Sequence, residues 1–500
     1  MLVRPRLNDF KLIGLYTGKV IIGIGLLMLV PLTVALIFQE WNATVDFLIG
    51  ILSCFSFGLV MHLLCRTKGD LSWLHGMVVV SFSWLLAMIF GAIPHFLSGH
   101  FGSYIDACFD LMSGYTTTGL YLLQDLDHIS NALNMWRHLL TYIGGQGIIV
   151  IALTFMIKGT AGAAKMYVGE GKEEKLMPNV VQTARAIWLV SLAYLVVGSI
   201  ALWITGMFLG MPAVRSLLHG IWVFMGAWST GGFAPQSYNI SYYHSLIYEI
   251  ITLIIFIIGS FNFALHWAVW TGNRREIYRN IEVVSFFITL MITFSLATAG
   301  IMKLGVYPDA IAIFRNVFYN IASGHTTTGF STIYSREFIR QWGPLGMLAT
   351  SVAMAIGASA CSTGGGFKGL RMGIIFKTLI QEVKKLISPD SSVIIQKFHH
   401  IKDIILEESH VRTAMLIVIL YIFIYGLGTA VGTYFGYPMV EALFDSVSAG
   451  SNTGLSCGVT SPTMPVLMKI VYIFEMWAGR LEFMSIFALI GFIIAAVKGR

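Results

Sequence analysis

Apolar runs long enough to cross a lipid bilayer recur along the whole chain, and they restrict its fold more than any other feature. A hydrocarbon core about 30 Å thick needs roughly 20 apolar residues in a helix. Of the 500 residues, 56% are hydrophobic and 11% are charged. The sequence therefore predicts an all-α polytopic membrane protein with ten transmembrane helices, two of them interrupted (344–379 and 466–497), at residues 20–38, 45–64, 72–93, 138–157, 186–211, 246–270, 283–302, 344–379, 414–435 and 466–497.

The distribution of positive charge indicates the orientation of these helices. The net charge is +7, but a basic balance in a membrane chain reports the topology of its loops more often than an affinity for nucleic acid. With the N-terminus inside, 24 of the 32 Lys and Arg residues fall on the cytoplasmic side. We therefore predict that both termini are cytoplasmic, and we expect no nucleic-acid partner.

A short segment rich in hydroxyls and glycine occurs four times. The copies read "SGYTTTGL" (113–120), "GAWSTGGF" (226–233), "SGHTTTGF" (323–330) and "SAGSNTGL" (448–455). Each has a glycine before Leu or Phe, a hydroxyl three residues earlier and an aromatic residue ten residues earlier. A single such segment is usually an ordinary loop, but four matched copies indicate an internal repeat. We call the stretches from hydroxyl to glycine loops 1 to 4: Thr116, Thr117, Thr118, Gly119; Ser229, Thr230, Gly231, Gly232; Thr326, Thr327, Thr328, Gly329; Ser451, Asn452, Thr453, Gly454.

The spacing of the loops predicts four parallel helix–pore loop–helix repeats around a central pore. Two spanning helices separate successive loops, so all four enter from the extracellular side, whereas inverted-repeat transporters need repeats of opposite orientation. Irregular backbone survives at membrane depth only when it is buried or lines a water-filled cavity. Rings of backbone carbonyls replace the hydration shell of a cation, and helix C-termini favour positive charge. The four loops are therefore predicted to form an ion selectivity filter.

These loops, together with "GASACSTGGGFK" (357–368) and "MWAGRLEF" (476–483), resemble the Trk/Ktr/HKT superfamily of potassium transport proteins, most closely its bacterial TrkH-type branch. Glycine at all four loop ends is similar to the potassium-selective members. The resemblance implies potassium as the transported ion, no organic cofactor in this chain, a location in the bacterial inner membrane, a homodimer, and a TrkA-like cytoplasmic ring of nucleotide-binding subunits. We expect that ring to dock on residues 377–410.

The repeats divide the chain into five predicted parts. The two spans ahead of the first repeat resemble the extra N-terminal pair of the TrkH branch. The parts are 1–69, this extra helix pair; 70–170, the first pore repeat; 171–278, the second; 279–385, the third with an intramembrane glycine loop; and 386–500, a cytoplasmic segment with the fourth.

Residues 357–368 interrupt a long apolar run, and we call them the glycine loop. A phosphate-binding P-loop is excluded, because Lys368 follows Phe367 where that motif has glycine, and because no strand precedes it. A kink or a close helix contact is the structural alternative. We interpret the segment as a broken helix that projects below the pore as a gate, as the resemblance also implies, with these gate residues: Gly357, Ser362, Thr363, Gly364, Gly365, Gly366, Lys368 and, from the last span, Arg480.

Arg480 lies within an apolar run, where an arginine costs about 2.5–3.5 kcal/mol on insertion scales. We therefore expect it to face the bundle interior or a water-filled cavity. Its charge then forms an electrostatic barrier to cations below the filter. The alternative is a structural ion pair with Glu482 or Glu475.

The sequence favours potassium uptake through a gated filter over two other classes of function. A proton- or sodium-coupled secondary cation transporter is the nearer alternative. An intramembrane metalloenzyme is more distant, because the chain contains neither H-E-x-x-H nor G-x-S-x-G after a strand. We predict that the protein is not an enzyme.

Overall fold

The computed structural model describes residues 4–67, 69–123, 125–148, 150, 160–170, 179–389, 392 and 394–499. Within these ranges the regular structure is helical apart from one two-stranded hairpin. Six apolar helical lengths of 24–31 residues are each long enough to cross a bilayer. They are Leu7–Leu27 with its continuation Leu29–Ile37, Trp41–Leu64, Trp73–Leu97, Val180–Phe208, Ile281–Leu304 and Glu408–Tyr434.

A short helix leads into each of the four loops. The side chains of Ser103 and Asp309 cap the first and third by accepting a backbone N–H from the first turn. The second and fourth begin directly after Pro212 and Pro438, whose fixed φ suits a helix start. In order, the short helices are Tyr104–Tyr115; Ala213–Trp228; the joined pieces Ala310–Ile313, Phe314–Phe318 (a π-helical turn) and Tyr319–His325; and Met439–Gly450.

The helix that follows each loop ends after 14–16 residues. These following helices are Asn131–Gln146, Leu246–Gly259, Gly343–Ile356 and Val466–Arg480. After the last three the chain resumes as Phe263–Trp270, Gly369–Leu386 and Met484–Lys498, with bends of 98° and 112° at the first and last of these breaks.

The prediction of one uninterrupted span over 246–270 is wrong. The helix stops at Gly259, and the side chain of Asn262 accepts the N–H of Ala264 and so caps a new helix. Asparagine competes in this way with helix continuation, because its side chain bonds nearby backbone groups. Apolar composition shows that a segment can be in lipid, but it does not show where a cap divides it.

The described residues contain up to eight spans when each bent pair is counted once. The two other predicted spans, 138–157 and 344–379, are not among these eight. Residues 149 and 151–157 of the span 138–157 lie outside the described ranges. The glycine loop divides 344–379 into Gly343–Ile356 and Gly369–Leu386, and a 14-residue helix is only about 21 Å long. Ten transmembrane helices therefore stay a prediction.

The one strand pair of the described chain lies in the segment that we expected to be cytoplasmic. Strands β1 (Lys397–His400) and β2 (Lys402–Ile405) are antiparallel, with His400 opposite Lys402. His399 Nε2 lies 2.9 Å from Glu276 Oε1, so the hairpin is held against the chain ahead of Ile281–Leu304. The remaining elements are Thr160–Gly169, the 3-10 turn Asn239–Tyr243, Glu276–Arg279 and Glu337–Gln341.

The last following helix packs backbone to backbone against the end of the fourth short helix. A Cβ added at Gly479 would overlap the carbonyl oxygen of Gly450 and lie 2.9 Å from Asn452 Oδ1. Gly144 and Gly259 meet the ends of the first and second short helices, at Tyr115 and Trp228, in the same way. Glycine is therefore required at these positions because two backbones touch.

We expect Gly479→Ala to lower the thermal unfolding temperature of the detergent-purified protein. The added methyl group forces the two backbones apart, and overpacking of this kind typically costs about 1–3 kcal/mol. Gly491→Ala is the matched control, since Gly491 is also helical but has nothing within 4 Å of an added Cβ. Equal unfolding temperatures for the two variants would contradict the close approach.

Candidate functional site

All four short helices end in the same hydrogen-bonded cap. The N–H groups of Thr118, Gly231, Thr328 and Thr453 each donate to the carbonyl five residues earlier, at 2.8 Å. The residue before each of these has a left-handed conformation and donates to the carbonyl three residues earlier, as in a Schellman motif. The residue in the left-handed conformation of such a motif is usually glycine. Here it is not glycine in any of the four loops: the left-handed residues are Thr117 (φ 57°), Thr230 (49°), Thr327 (54°) and Asn452 (58°). Strained backbone of this kind concentrates at functional sites.

The four loops close into a ring. A Cβ added at Gly119 would lie 2.7 Å from the carbonyl oxygen of Gly231 in loop 2. Added Cβ atoms at Gly232, Gly329 and Gly454 would overlap carbonyl oxygens of loops 3, 4 and 1 respectively. Each glycine also has a positive φ, between 62° and 94°. Both the backbone conformation and the neighbouring loop therefore exclude a side chain at these four positions.

Hydroxyl groups brace the loops from within. Thr116 Oγ1 donates to Met112 O at 2.7 Å and lies 2.8 Å from Thr118 Oγ1. Loop 3 repeats both contacts, and loops 2 and 4 each make one of them. In loop 4, Asn452 Nδ2 donates to Thr118 Oγ1 at 3.1 Å and so joins the last loop to the first. Of the sixteen predicted residues all are buried except Gly454, which is half-buried.

A cavity of about 390 Å³ opens on one side of the ring, and Gly119, Gly329 and Gly454 line it. Arg336 is the one charged residue among its described lining residues, and its side chain is exposed. Tyr121, Tyr238 and Tyr334 are among the other lining residues.

The glycine loop lies against the left-handed residues of the other loops. Thr117 Oγ1 donates to Thr363 O at 3.2 Å, and the hydroxyls of Thr230 and Thr363 lie 3.1 Å apart. Gly365 N donates to Thr327 Oγ1 at 2.9 Å. A Cβ added at Gly365 would lie 3.0 Å from Asn452 Oδ1 in loop 4. The predicted gate residues Thr363 and Gly365 thus reach all four loops.

The other gate residues keep this loop in place. Gly357 starts it with φ 73° and Gly366 has φ 80°, and an added Cβ at either would press on the other's backbone. Ser362 Oγ donates to Ser359 O and accepts from the N–H of Gly364. Lys368 Nζ donates to Gly364 O at 3.0 Å. All the predicted gate residues are therefore in one packed unit, which Arg480 completes.

Arg480 hydrogen-bonds to backbone carbonyls. Its Nη1 donates to Thr363 O at 2.6 Å, and its Nη2 donates to the carbonyls of Gly144 and Gly145, the latter at 3.1 Å. The side chain is buried. It therefore joins the glycine loop to the end of the first following helix.

The two ion pairs considered as alternatives for Arg480, with Glu482 or with Glu475, do not form among the described residues. Glu482 pairs with Arg371 and lies 3.5 Å from Lys368 Nζ. Glu475 accepts from Ser446 Oγ at 2.9 Å. The sequence pairing failed because the sharp bend after Arg480 turns Glu482 toward the helix Gly369–Leu386, more than 100 residues away in sequence.

Sequence reasoning missed several buried acids of the pore repeats. Arg315 pairs with Glu249 at 2.6 Å, and Lys469 pairs with Asp106 at 2.6 Å. Glu282, at the start of Ile281–Leu304, accepts the N–H of Ala360 in the glycine loop at 2.6 Å. The signal that was available is an acid within or beside an apolar run, since such a charge needs a partner.

A family model named TrkH and described as "Cation transport protein" matches residues 43–495. The chain belongs to the TrkH family. An uncharacterized cation transporter of Methanocaldococcus jannaschii is 30% identical over 477 residues, which cover 94% of this chain and 93% of that protein. The Trk system potassium uptake protein TrkH of Escherichia coli strain K12 is 28% identical over 490 residues, 96% of this chain and 98% of that protein.

The fold also matches a solved structure. The crystal structure of the potassium transporter TrkH from Vibrio parahaemolyticus gives a TM-score of 0.81 at 23% identity and covers 96% of this chain and 98% of that chain. The TrkH family is one of cation transport proteins and not of enzymes. With its apolar helices, this family membership makes the chain a multi-pass membrane protein.

Proposed function

We propose that this TrkH-family protein carries potassium into the cell through loops 1 to 4, which act as a selectivity filter. The closed ring of four glycine-ended loops is the observation that carries the proposal. Four short helices end at that ring, so their C-terminal partial negative charges favour a cation there. Backbone carbonyls at such a ring replace the hydration shell of the ion. The name of the Escherichia coli relative, a potassium uptake protein, supports potassium as that ion.

The proposed arrangement in the membrane follows from charge and from the repeated loops. The N-terminal helix pair precedes four parallel pore repeats, and both termini lie in the cytoplasm, where most of the Lys and Arg residues then fall. The cavity beside Gly119 and Gly329 then faces outward, and the glycine loop lies on the cytoplasmic side of the filter. Inner-membrane location, the homodimer and the TrkA-like ring stay predictions from the resemblance.

We expect Gly329→Ser to lower the ratio of potassium to sodium flux into proteoliposomes. The new side chain would collide with the backbone of Thr453 in loop 4 and spread the ring of carbonyls. Gly210→Ser is the matched control, because Gly210 also has a positive φ (87°) but has nothing within 4 Å of an added Cβ. If the two variants keep the same ion preference, the filter assignment is wrong.

We also propose that the glycine loop and Arg480 form the gate. Thr363 carries the contacts: its backbone oxygen accepts from Arg480, and its hydroxyl lies 2.9 Å from Gly259 O. The described loop touches all four filter loops from one side, so it obstructs any path that leaves the ring there. Arg480 adds a buried positive charge whose hydrogen-bond acceptors in the described chain are carbonyls, so a passing cation meets electrostatic repulsion.

We expect Arg480→Gln to raise basal potassium flux in the absence of any partner protein. A positive charge about 4 Å from a passing cation is worth about 4 kcal/mol at an effective dielectric constant near 20. Arg315→Gln is the control, because it removes a similar charge that pairs with Glu249 instead. A barrier role is refuted if Arg480→Gln only lowers the unfolding temperature, as the control does, with flux per folded molecule unchanged.

Single-molecule currents above carrier turnover would exclude the coupled-transporter alternative.

Cytoplasmic control is proposed to enter through the hairpin β1–β2. His400 Nδ1 lies 3.4 Å from Asn280 Oδ1 and 3.8 Å from Glu282 Oε2. The other carboxylate oxygen of Glu282 accepts the N–H of Ala360. A partner that displaces the hairpin would therefore shift Glu282, and with it one end of the glycine loop.

We expect Glu282→Ala to raise basal flux, because it frees Ala360 from its acceptor and loosens the gate. Glu382→Ala is the control, because it also removes a carboxylate from the part of the chain expected to be cytoplasmic, but that carboxylate is exposed and pairs with Lys385. Potassium flux into proteoliposomes is the measurement for both variants. The same flux in both would show that Glu282 has no special link to the gate.

A further inference from the structure

One position of the repeat, nine residues before each filter glycine, is occupied by Asp110, Val223, Asn320 and Asp445. All four side chains are buried, each with a relative exposure of 0%. An ionisable or amide group is rarely left in such a place unless its hydrogen bonds are satisfied. The hydrogen-bond partners of Asp445, Asn320 and Asp110 indicate the role of this position.

In the fourth repeat the carboxylate of Asp445 holds the segment that follows Gly454. Its Oδ2 accepts from Ser456 Oγ, from Thr460 N and from Thr460 Oγ1, each at 2.8 Å. Its Oδ1 accepts from Cys457 N at 2.9 Å and from Cys457 Sγ at 3.3 Å. The donors come two, three and six residues after the glycine. Five donors on one buried carboxylate fix both the orientation of the side chain and the path of the chain around it.

In the third repeat, Asn320 binds the residues two and three positions after the filter glycine, as Asp445 does in the fourth. Ser331 Oγ donates to its Oδ1 at 2.9 Å, and its Nδ2 donates to Thr332 Oγ1 at 2.8 Å. These hydroxyls lie two and three residues after Gly329. The third and fourth repeats thus use the same position to hold the chain that follows the filter glycine.

The first two repeats share a different arrangement. Asp110 accepts from Arg137 Nε at 3.1 Å. The guanidinium carbon of Arg137 then lies 4.1 Å from the ring centroid of Phe233, directly after Gly232, and 5.8 Å from that of Tyr121, two residues after Gly119. The side chain of Val223, at this position in the second repeat, cannot hydrogen-bond. Arg137 of the first repeat instead packs over Phe233, which directly follows loop 2.

We propose that Asp445 and Asn320 are positioning residues for the filter: by tethering the chain just after Gly454 and Gly329, they set the spacing of the carbonyl ring and thus its discrimination between potassium and sodium. The inference rests on the proposed filter function. The tethers act through backbone position and not through contact with the ion. Loss of a tether therefore relaxes selectivity before it abolishes transport.

The test measures potassium and sodium flux into proteoliposomes that contain the full-length protein, together with its unfolding temperature. Asp445→Asn replaces an acceptor oxygen by an NH2 group that faces donors, and Thr460→Val removes one donor with little change of shape. We expect the potassium-to-sodium flux ratio to fall roughly three- to tenfold in Asp445→Asn, as for the loss of about one net hydrogen bond, and less in Thr460→Val. Val223→Ala is the control, because it removes packing at the same position of the second repeat but no hydrogen bond.

The outcomes separate a positioning role from a structural one. A lower unfolding temperature with an unchanged flux ratio in both Asp445→Asn and Thr460→Val, as expected for Val223→Ala, would overturn the proposal. Should Asp445→Asn fail to fold, Thr460→Val alone decides by its flux ratio. Gly329→Ser in the same assay identifies the level of failure: if it changes the ratio and the tether variants do not, only this inference fails, and if it also has no effect, the filter itself is refuted.

Discussion

The need to satisfy backbone hydrogen bonds away from water governs this structure. Four loops leave helical geometry inside an apolar bundle, where each unpaired N–H or C=O costs several kcal/mol. The same cap solves the problem four times, with a bond of 2.8 Å from the residue after each left-handed position back to the helix. The strained conformations of Thr117, Thr230, Thr327 and Asn452 are the consequence. They persist because the cap and the neighbouring loop determine them together.

The same requirement explains the position of Arg480. Carbonyls at the end of the first following helix and in the glycine loop also need donors, and the buried guanidinium of Arg480 supplies them at Gly144, Gly145 and Thr363. One side chain therefore both satisfies these carbonyls and places a positive charge in the buried interior. An arginine suits this place because its planar group offers five donors, whereas lysine offers three from a single nitrogen.

Because one chain supplies all four repeats, each loop can differ from the others. Loop 2 has Gly231 where loops 1 and 3 have threonine, and loop 4 has Asn452, whose amide reaches Thr118. Only the third following helix is extended by a twelve-residue glycine loop in the described chain. A ring of identical subunits would have to repeat every such feature four times. This chain can place a single glycine loop against a nearly fourfold ring.

The sequence by itself determined the class of the protein, the loops and the glycines, because these depend on local chemistry. Lipid selects apolar runs, and matched glycines and hydroxyls at Gly119 and its three counterparts mark the backbone that must leave the helix. The tertiary structure decided the break at Gly259, the partners of Glu482 and the tethers of Asp445. A cap, an ion pair or a backbone contact joins residues that spacing does not relate, so only the folded chain reveals which groups meet.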